Sequence, residues 1–467
     1  LSQTKSIQEA TAKHPWLAGV DAGSGPRYLR IAEAIEQALF DGILKPGDRL
    51  PPQRELASDL GMDLTTVTRA YDEAKRRHLL EGKGARGTFV ATPRIELAQV
   101  LDLSMNIPPP PAGLRFDELL KQGLTQVLLR ADTEMLMAYH LGGGSQTDRT
   151  AGAAWLEPML GRLHPDHVIV CPGAQAALAA LLLTHTAPGE VVLAEAVNYP
   201  GLRAAAAQFG RTLVTVEADA DGMLPDALER ACREHGARLL YLNPTLQNPT
   251  TATMPSERRQ QIAGVALRCG LHIIEDDPYW RFADHAPPPL ALAAPDHVSY
   301  VSTLSKCLTP GLRVAFVVIR AQEQRSRFLA ALRSFALMAP PLTATLATQW
   351  ILDGTAQQLF TGVRDEARAR HALAAELLAG REASAAQGLH IWLPLPGYWS
   401  STELARAAAG EGLAVTPSEV FTLGGPLPNA IRISLGSTPD SKRLAAGLRR
   451  LSQLLARAPQ SFSHQVI

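Results

Sequence analysis

The chain is poor in the features that mark a secreted, metal-built or membrane-embedded protein. Its 467 residues contain four cysteines, Cys171, Cys232, Cys269 and Cys307, scattered without CxxC spacing. That argues against a disulfide framework and a zinc site, suits a reducing cytosol, and leaves no metal to expect. No apolar run reaches the ~20 residues a membrane-spanning helix needs, and Leu1 to Gln8 lacks the hydrophobic stretch of a signal peptide. A cytoplasmic protein with no membrane partner is expected. Net charge is missing too: Lys+Arg and Asp+Glu number 45 each. A nucleic-acid partner therefore has to be argued from local motifs, not from bulk charge. What remains, 46% hydrophobic and 19% charged residues, is an ordinary globular composition, long enough for about two to four domains.

Near the N-terminus, Ile31, Ile35 and Leu39 recur at helical spacing and form one apolar stripe, which Gly42 and the Pro46-Gly47 pair end. Pro51-Pro52 opens a short helix over Gln53–Leu60, and Gly61 breaks it. Asp63 is placed to cap a third helix, on which Val67, Ala70, Tyr71 and Ala74 share a face. Two short helices across a glycine-containing turn make a helix-turn-helix candidate. Beyond them, Leu79-Leu80 and Thr88 to Val90 flank the glycine-rich hairpin Glu81 to Gly87. Such a set can also be no more than a small folding module. Charge over residues 25–92 is nearly balanced, eleven cations against ten acids, but residues 65–90 hold six cations and three acids. Arg69 and Arg76 fall near one outward face of the third helix, and Thr65 and Thr66 stand at its start, where backbone amides can also meet phosphate.

The run Gly42 to Ala57, followed by Leu60-Gly61, Thr65 to Val67, Arg69 to Tyr71 and Gly87 to Val90, closely resembles the winged helix-turn-helix domain of GntR-type transcription regulators. The resemblance implies that Thr65–His78 is the recognition helix, entering the major groove of promoter DNA. It implies DNA contacts from Arg54, Thr65, Thr66 and the wing around Arg86 and Gly87, and Arg69 is added from the outward face of the helix. One departure is Leu64, which stands where many family members carry an arginine, so a base-reading cation is missing there. The module is assigned to residues 25–91. A linker is assigned to 92–113, where Pro108 to Pro111 is a stiff extended run; the stretch Asp102 to Pro108 can already lie over the next domain's site.

From 114 to 455, helix-length segments alternate with short apolar runs at His167–Val170, Glu190–Ala194, Thr212–Val216, Leu239–Leu242, His272–Ile274, Ser299–Val301 and Val314–Ile319. Buried strands separated by helices indicate an α/β fold with a mainly parallel sheet, and ligands in such sheets gather at the strands' C-terminal ends. The residues there are polar in a pattern. Gly173 and Ala174 open a helix that can take a phosphate. Tyr199 follows the second strand, the loop Asn243 to Asn248 the fourth, and the acids Glu275, Asp276 and Asp277 end the fifth. The sixth leads to Ser302 through Lys306 and on to Arg313. Lys306 can be a solvated surface charge or an amine that forms a Schiff base with a carbonyl cofactor.

Together these residues resemble the fold-type I pyridoxal-phosphate enzymes of the aspartate aminotransferase class. The resemblance implies that Lys306 is the catalytic lysine that forms the Schiff base, that Asp276 pairs with the pyridine nitrogen, and that Asn248 and Tyr279 serve the ring's phenolic oxygen. Tyr199 packs on the ring; Ala174, Gln175, Thr303, Ser305 and Arg313 hold the phosphate; Arg432 grips an effector's carboxylate. Gly144 and Arg149 match a further motif, from which Asp148 departs.

The expected architecture is an N-terminal winged helix-turn-helix followed by an α/β fold-type I aminotransferase-like domain with a smaller C-terminal subdomain. That order resembles the MocR/GabR type of transcription regulator. It implies promoter DNA as partner, pyridoxal 5'-phosphate as cofactor, and a small amino compound or the cofactor itself as the signal, sensed by imine exchange at Lys306. It also implies a homodimer, head-to-tail and domain-swapped. A working aminotransferase with an accessory DNA-binding module is the alternative.

Overall fold

The computed structural model describes residues 10–91 except 12, 18, 19, 21–24, 78 and 83, and then residues 101–379 and 387–457. The chain forms two units, which divide between Gln99 and Val100.

The first unit contains α1 (Arg27–Phe40), α2 (Gln53–Leu60), α3 (Leu64–Arg76), β1 (Leu80–Gly82) and β2 (Thr88–Val90). Helix α2 starts on Pro52 and stops at Gly61, whose φ of 57° is left-handed, a conformation glycine adopts without a Cβ penalty. Asp63 precedes α3 in extended backbone, but its side chain makes no capping hydrogen bond. The predicted cap therefore holds in position only. The apolar faces meet in one core built on Ile31, Ile35, Leu56, Leu60, Val67 and Tyr71. Two bonds fix α3 against the start of α2: the Tyr71 hydroxyl donates to the Pro51 carbonyl at 2.8 Å, and the Thr68 hydroxyl to Gln53 Oε1 at 2.9 Å. Strands β1 and β2 pair antiparallel, Leu80 opposite Val90. The helix expected to reach His78 ends at Arg76, and His78 lies outside the described residues.

This unit begins before residue 25. Trp16 and Leu17 are buried in its core, and Lys13 and His14 pair with Glu55 and Asp59 of α2 at 2.9 to 3.0 Å. Three short helices leave an apolar flank open, and these upstream residues close it.

In the second unit, the strands that frame the sheet and its surroundings are β3 (Leu101–Asp102), β4 (Val168–Cys171), β5 (Val191–Glu195), β6 (Thr212–Val216), β7 (Leu239–Leu242), β8 (His272–Asp276), β9 (Val298–Thr303) and β10 (Ala315–Val318). Helix α4 (Ala174–His185) follows β4 directly, and α5 (Thr355–Leu377) leads toward the C-terminal part. The seven-stranded sheet runs β4-β10-β9-β8-β7-β5-β6. Strand β10 is antiparallel to both neighbours and the other pairings are parallel. All seven strands coincide with the predicted runs to within a residue or two. They read as near-continuous apolar stretches because both faces of the sheet are covered: alternate residues of β8 point into different cores, Ile273 into one and Ile274 into the other.

The smaller C-terminal part holds β11 (His390–Pro394), β12 (Leu413–Ala414), β13 (Thr416–Pro417), β14 (Ala430–Ser434) and α6 (Ser441–Leu455), with a sheet ordered β11-β14-β13. Strand β12 pairs in parallel with β3, Leu413 opposite Leu101. The assigned linker 92–113 is thereby shortened: residues 101–113 are built into the second unit, and 92–100 lie outside the described residues. The segment after β3 follows a track of glycines. A Cβ on Gly447 would strike the Leu101 side chain, one on Gly436 the Ile107 carbonyl oxygen, and one on Gly362 would lie 2.9 Å from the Ala112 carbonyl oxygen. Among the described residues, no helix is long and apolar enough to cross a membrane.

Because the Gly436 clash is with backbone, which cannot swing aside, Gly436→Ala is expected to destabilise the second unit by about 1–3 kcal/mol. Urea unfolding, compared with the unsubstituted chain, measures this.

Candidate functional site

The C-terminal ends of the parallel strands open on a cavity of about 350 Å³, the place where an open α/β sheet takes its ligand. Every residue expected there lines it: Ala174, Gln175, Tyr199, Asn248, Asp276, Tyr279, Thr303, Ser305, Lys306, Arg313 and Arg432. Another cavity, of about 440 Å³, shares Asn243 with it and is lined by Glu195 and Glu217, with no lysine or arginine on its walls. Of the two, the first is the one that offers an amine and guanidinium groups.

Lys306 sits in the single helical turn Leu304–Cys307 that follows β9. Burial pushes its ammonium down to about 8, Arg432 and Arg313 push the same way, and Asp276 opposes them. Its Nζ donates to the Asn106 carbonyl oxygen. A lysine with this value holds a sizeable fraction of neutral amine near pH 7 to 8, where a surface lysine near 10.4 holds very little.

Asp276 ends β8 on the cavity side. Burial raises its carboxyl to about 6, with the Tyr241 hydroxyl and Lys306 pulling it back down. Tyr241 donates to Oδ2 at 2.7 Å, whereas Oδ1 is buried without a partner. The flanking acids are used elsewhere: Glu275 accepts the Leu290 and Ala291 amides at 2.9 Å each, and Asp277 accepts the Thr245 and Tyr300 hydroxyls at 3.2 Å. Alternation along the strand gives one of the three consecutive carboxylates to the cavity.

Opposite, the Arg432 guanidinium is buried, donates to Asn248 Oδ1 at 2.8 Å and the Ser104 carbonyl at 2.5 Å, and lies 4.8 Å from the Phe421 ring centroid. Its Nε has no partner, and among the described residues it forms no ion pair with a carboxylate. With its carbonyl oxygen committed to Arg432, Asn248 offers amide protons as donors. Asn106 donates to the Tyr279 hydroxyl oxygen at 2.8 Å and lies 3.0 Å from His390 Nδ1. Burial drives His390 well below its usual range, so the ring is neutral, Nδ1 accepts, and Nε2 donates to the Pro249 carbonyl at 3.1 Å. Tyr279, receiving a hydrogen bond at its oxygen, keeps its own proton to give.

The third corner is an anion cradle. Helix α4 starts at Ala174 after Gly173, with no side chain capping its first amides. A Cβ on Gly173 would collide with the Arg313 guanidinium, which this glycine lets approach the helix start. Arg313 itself has φ 50° and donates to the Pro172 carbonyl at 3.3 Å. The Ser305 hydroxyl is buried without a partner, and Thr303 caps the turn by accepting the Ser305 amide at 3.2 Å. Tyr199 donates to Gln175 Oε1 at 3.0 Å, and Gln175 donates to the Gly201 carbonyl at 3.0 Å.

Asn106, Tyr241, Asn243 and Phe421 also line the cavity and were not singled out from the sequence. Two of them carried a signal: Asn106 lies in the stretch Asp102 to Pro108 expected over the site, and Asn243 is the first polar residue after β7; the Asn243 amide donates to the Asp276 carbonyl at 2.6 Å and its Oδ1 accepts the Asn248 amide at 2.7 Å.

In the first unit, Arg54 is exposed on α2, Thr65 is exposed and Thr66 half-buried in the first turn of α3, and Arg86 is exposed in the hairpin turn. Gly87 has φ 109°. The two cations expected on the outward face of α3 are both engaged: Arg69 lies 4.8 Å from the Tyr28 ring centroid, and Arg76 donates to Glu73 at 2.7 and 2.8 Å. Arg49 was overlooked. It is exposed, bridges to Phe89 of β2, and its Nε lies 3.2 Å from where a Cβ on Gly87 would be.

Fold and cavity together define a chain that joins a winged helix-turn-helix to an aminotransferase-like unit. Residues 98–451 match the family "Aminotransferase class I and II", and residues 27–90 match "Bacterial regulatory proteins, gntR family". The HTH-type transcriptional regulator YdeF of Bacillus subtilis is 31% identical over 450 residues, 94% of this chain and 96% of that one. The 2-aminoadipate transaminase of Thermus thermophilus is 31% identical over 339 residues, 70% of this chain and 84% of the enzyme. Among solved structures, LysN, the α-aminoadipate aminotransferase of Thermus thermophilus complexed with N-(5'-phosphopyridoxyl)-L-leucine, superposes with a TM-score of 0.69 at 28% identity, covering 77% of this chain and 93% of that one. The chain belongs to the class I and II aminotransferase family, in the form that carries a GntR-type module ahead of the aminotransferase-like domain.

The electrostatics of Lys306 are directly measurable. Its amine is charged below about 8 and neutral above, so labelling by an amine-acylating reagent, read by peptide mass spectrometry, should rise through that pH. Asp276→Asn removes the charge that favours the ammonium and should move the midpoint down, while Arg432→Gln should move it up.

Proposed function

We propose that the chain is a transcription regulator that binds promoter DNA through α2, α3 and the β1–β2 hairpin. It senses pyridoxal 5'-phosphate, or an amino compound that reacts with it, in the Lys306 cavity. One observation carries this reading: a GntR-type module and a cavity uniting Lys306, Asp276 and Arg432 occur on one chain. The cytoplasm is the compartment that suits it. A homodimer, in the head-to-tail arrangement that places each module beside the partner's second unit, fits paired half-sites on DNA. The exposed apolar side chains of Leu129 and Met137, 79% and 84%, are of the kind a subunit contact would cover.

The donor set suits pyridoxal phosphate. The unpartnered Asp276 Oδ1 is an acceptor for a protonated ring nitrogen, Asn248 and Tyr279 are donors for a phenolic oxygen, and the start of α4 with Ser305, Thr303 and Arg313 would hold a phosphate. Tyr199 and Gln175, bonded to each other, would support the ring from the α4 side. When bound, the cofactor supplies an aldehyde for primary amines and an electron-withdrawing ring. The chain's own part is to keep a sizeable fraction of Lys306 neutral and nucleophilic near pH 7 to 8, to hold a negative charge at Asp276, and to present Arg432 to a carboxylate. Arg432 is a buried cation without an anion, so an amino compound carrying a carboxylate gains a charge-assisted pair there that a plain amine does not.

A second reading, a working aminotransferase, is favoured by the 31% identity to 2-aminoadipate transaminase. Incubation with amino donors and a 2-oxo acid separates the two: product in excess of enzyme supports turnover, and its absence supports a sensor.

Lys306→Ala is expected to abolish the visible absorption that borohydride bleaches in the cofactor-loaded protein, and the effect of amino compounds on DNA affinity, while leaving basal DNA binding intact. A retained effector response would refute the sensing role. Arg54→Ala and Arg86→Ala should each lower the salt dependence of DNA binding by about one unit of log–log slope and leave the absorption unchanged. Normal binding by both would rule out this reading surface.

A further inference from the structure

We infer that Leu64 reads the C5-methyl group of a thymine in the major groove; this deepens the DNA-binding reading and rests on it. Leu64 is the first residue of α3 and is 41% exposed, while Val67, Ala70, Tyr71 and Ala74 turn the other face of the helix into the core with no exposure at all. A branched apolar side chain left in water at the N-terminal turn of a recognition helix stands where base edges are contacted. Its neighbours narrow the choice of base. Thr65, also exposed, carries a hydroxyl donor. Thr68, one turn on from Leu64, is committed to Gln53. The cations of the helix are drawn off, Arg69 onto Tyr28, Lys75 onto Asp72 and Arg76 onto Glu73. The first turn therefore offers an apolar surface beside a hydroxyl donor. Thymine presents the matching pair, a methyl group beside the O4 acceptor; guanine, with its two acceptors and no methyl, calls for a cation instead.

The test begins with full-length protein selecting sites from a pool of random DNA duplexes. Each thymine of the selected site is then replaced singly by deoxyuridine, which removes only the methyl group. At one position per half-site the replacement should weaken binding by roughly fourfold, the equivalent of losing one buried methyl. Leu64→Ala should lose that penalty and keep the profile elsewhere. Leu64→Arg should shift the preferred base at that position from thymine to guanine. Since Leu64 is exposed and not one of the buried core residues, both variants should melt within a few degrees of the parent chain. A deoxyuridine profile identical in the parent and Leu64→Ala overturns the inference while leaving DNA binding standing. A pool that yields no enriched site overturns the DNA-binding reading itself.

Discussion

Burying the Asp276 carboxylate at the end of β8 carries a desolvation penalty of several kcal/mol unless partners offset it, and the cavity is arranged around those partners. The parallel register sets Tyr241 of β7 beside β8, opposite Ile274, and the tyrosine donates to one carboxylate oxygen. Asn243, two residues further on, holds the Asp276 carbonyl and, with its other end, the Asn248 amide. Lys306 adds a positive charge from the turn after β9. The backbone of β8 thus anchors the loop after β7, and the acid itself biases the lysine toward its charged form. Its remaining oxygen is the reason the site is chemically incomplete without a cationic or protonated guest.

The same incompleteness recurs on the other walls. Arg432 is a buried cation held by two neutral oxygens and an aromatic face. The Ser305 hydroxyl has no partner, and the first amides of α4 have no cap. Acceptor, cation and anion cradle lie at separate corners, so a guest that satisfies all three must bring a proton donor to the first and negative charge to the other two.

Much of this was legible in the sequence because strand ends in a parallel sheet are marked by a change from apolar to polar residues. Lys306, Asp276, Asn248 and Tyr199 all follow such a change. Tyr241 was not legible: it lies inside the apolar run Leu239–Leu242, where a ring reads as core, and its hydroxyl acquires meaning only through the register with β8. The stretch Asp102 to Pro108 was expected over the site, but the contacts of Asn106 with Lys306 and Tyr279, across 200 and 173 residues of chain, are encoded by no local pattern. In the first unit, the helices followed from periodicity. The engagement of Arg69 with Tyr28, and of Lys13 and His14 with α2, did not, because exposed charges choose partners only once helices have packed.

The glycine track under residues 101–112 bears on how the protein can be taken apart. Residues 101–112 lie so close over Gly447, Gly436 and Gly362 that a Cβ there would meet the Leu101 side chain, the Ile107 carbonyl or the Ala112 carbonyl. That stretch supplies the Ser104 and Asn106 carbonyls to Arg432 and Lys306, and the Asn106 amide to Tyr279. A fragment cut at residue 114, where the composition of the chain first suggests a clean start, would lose β3 and expose a glycine-floored groove beside the cavity. The second unit begins ahead of Leu101, so fewer residues are left to join the two units than an assigned linker of 92–113 would give.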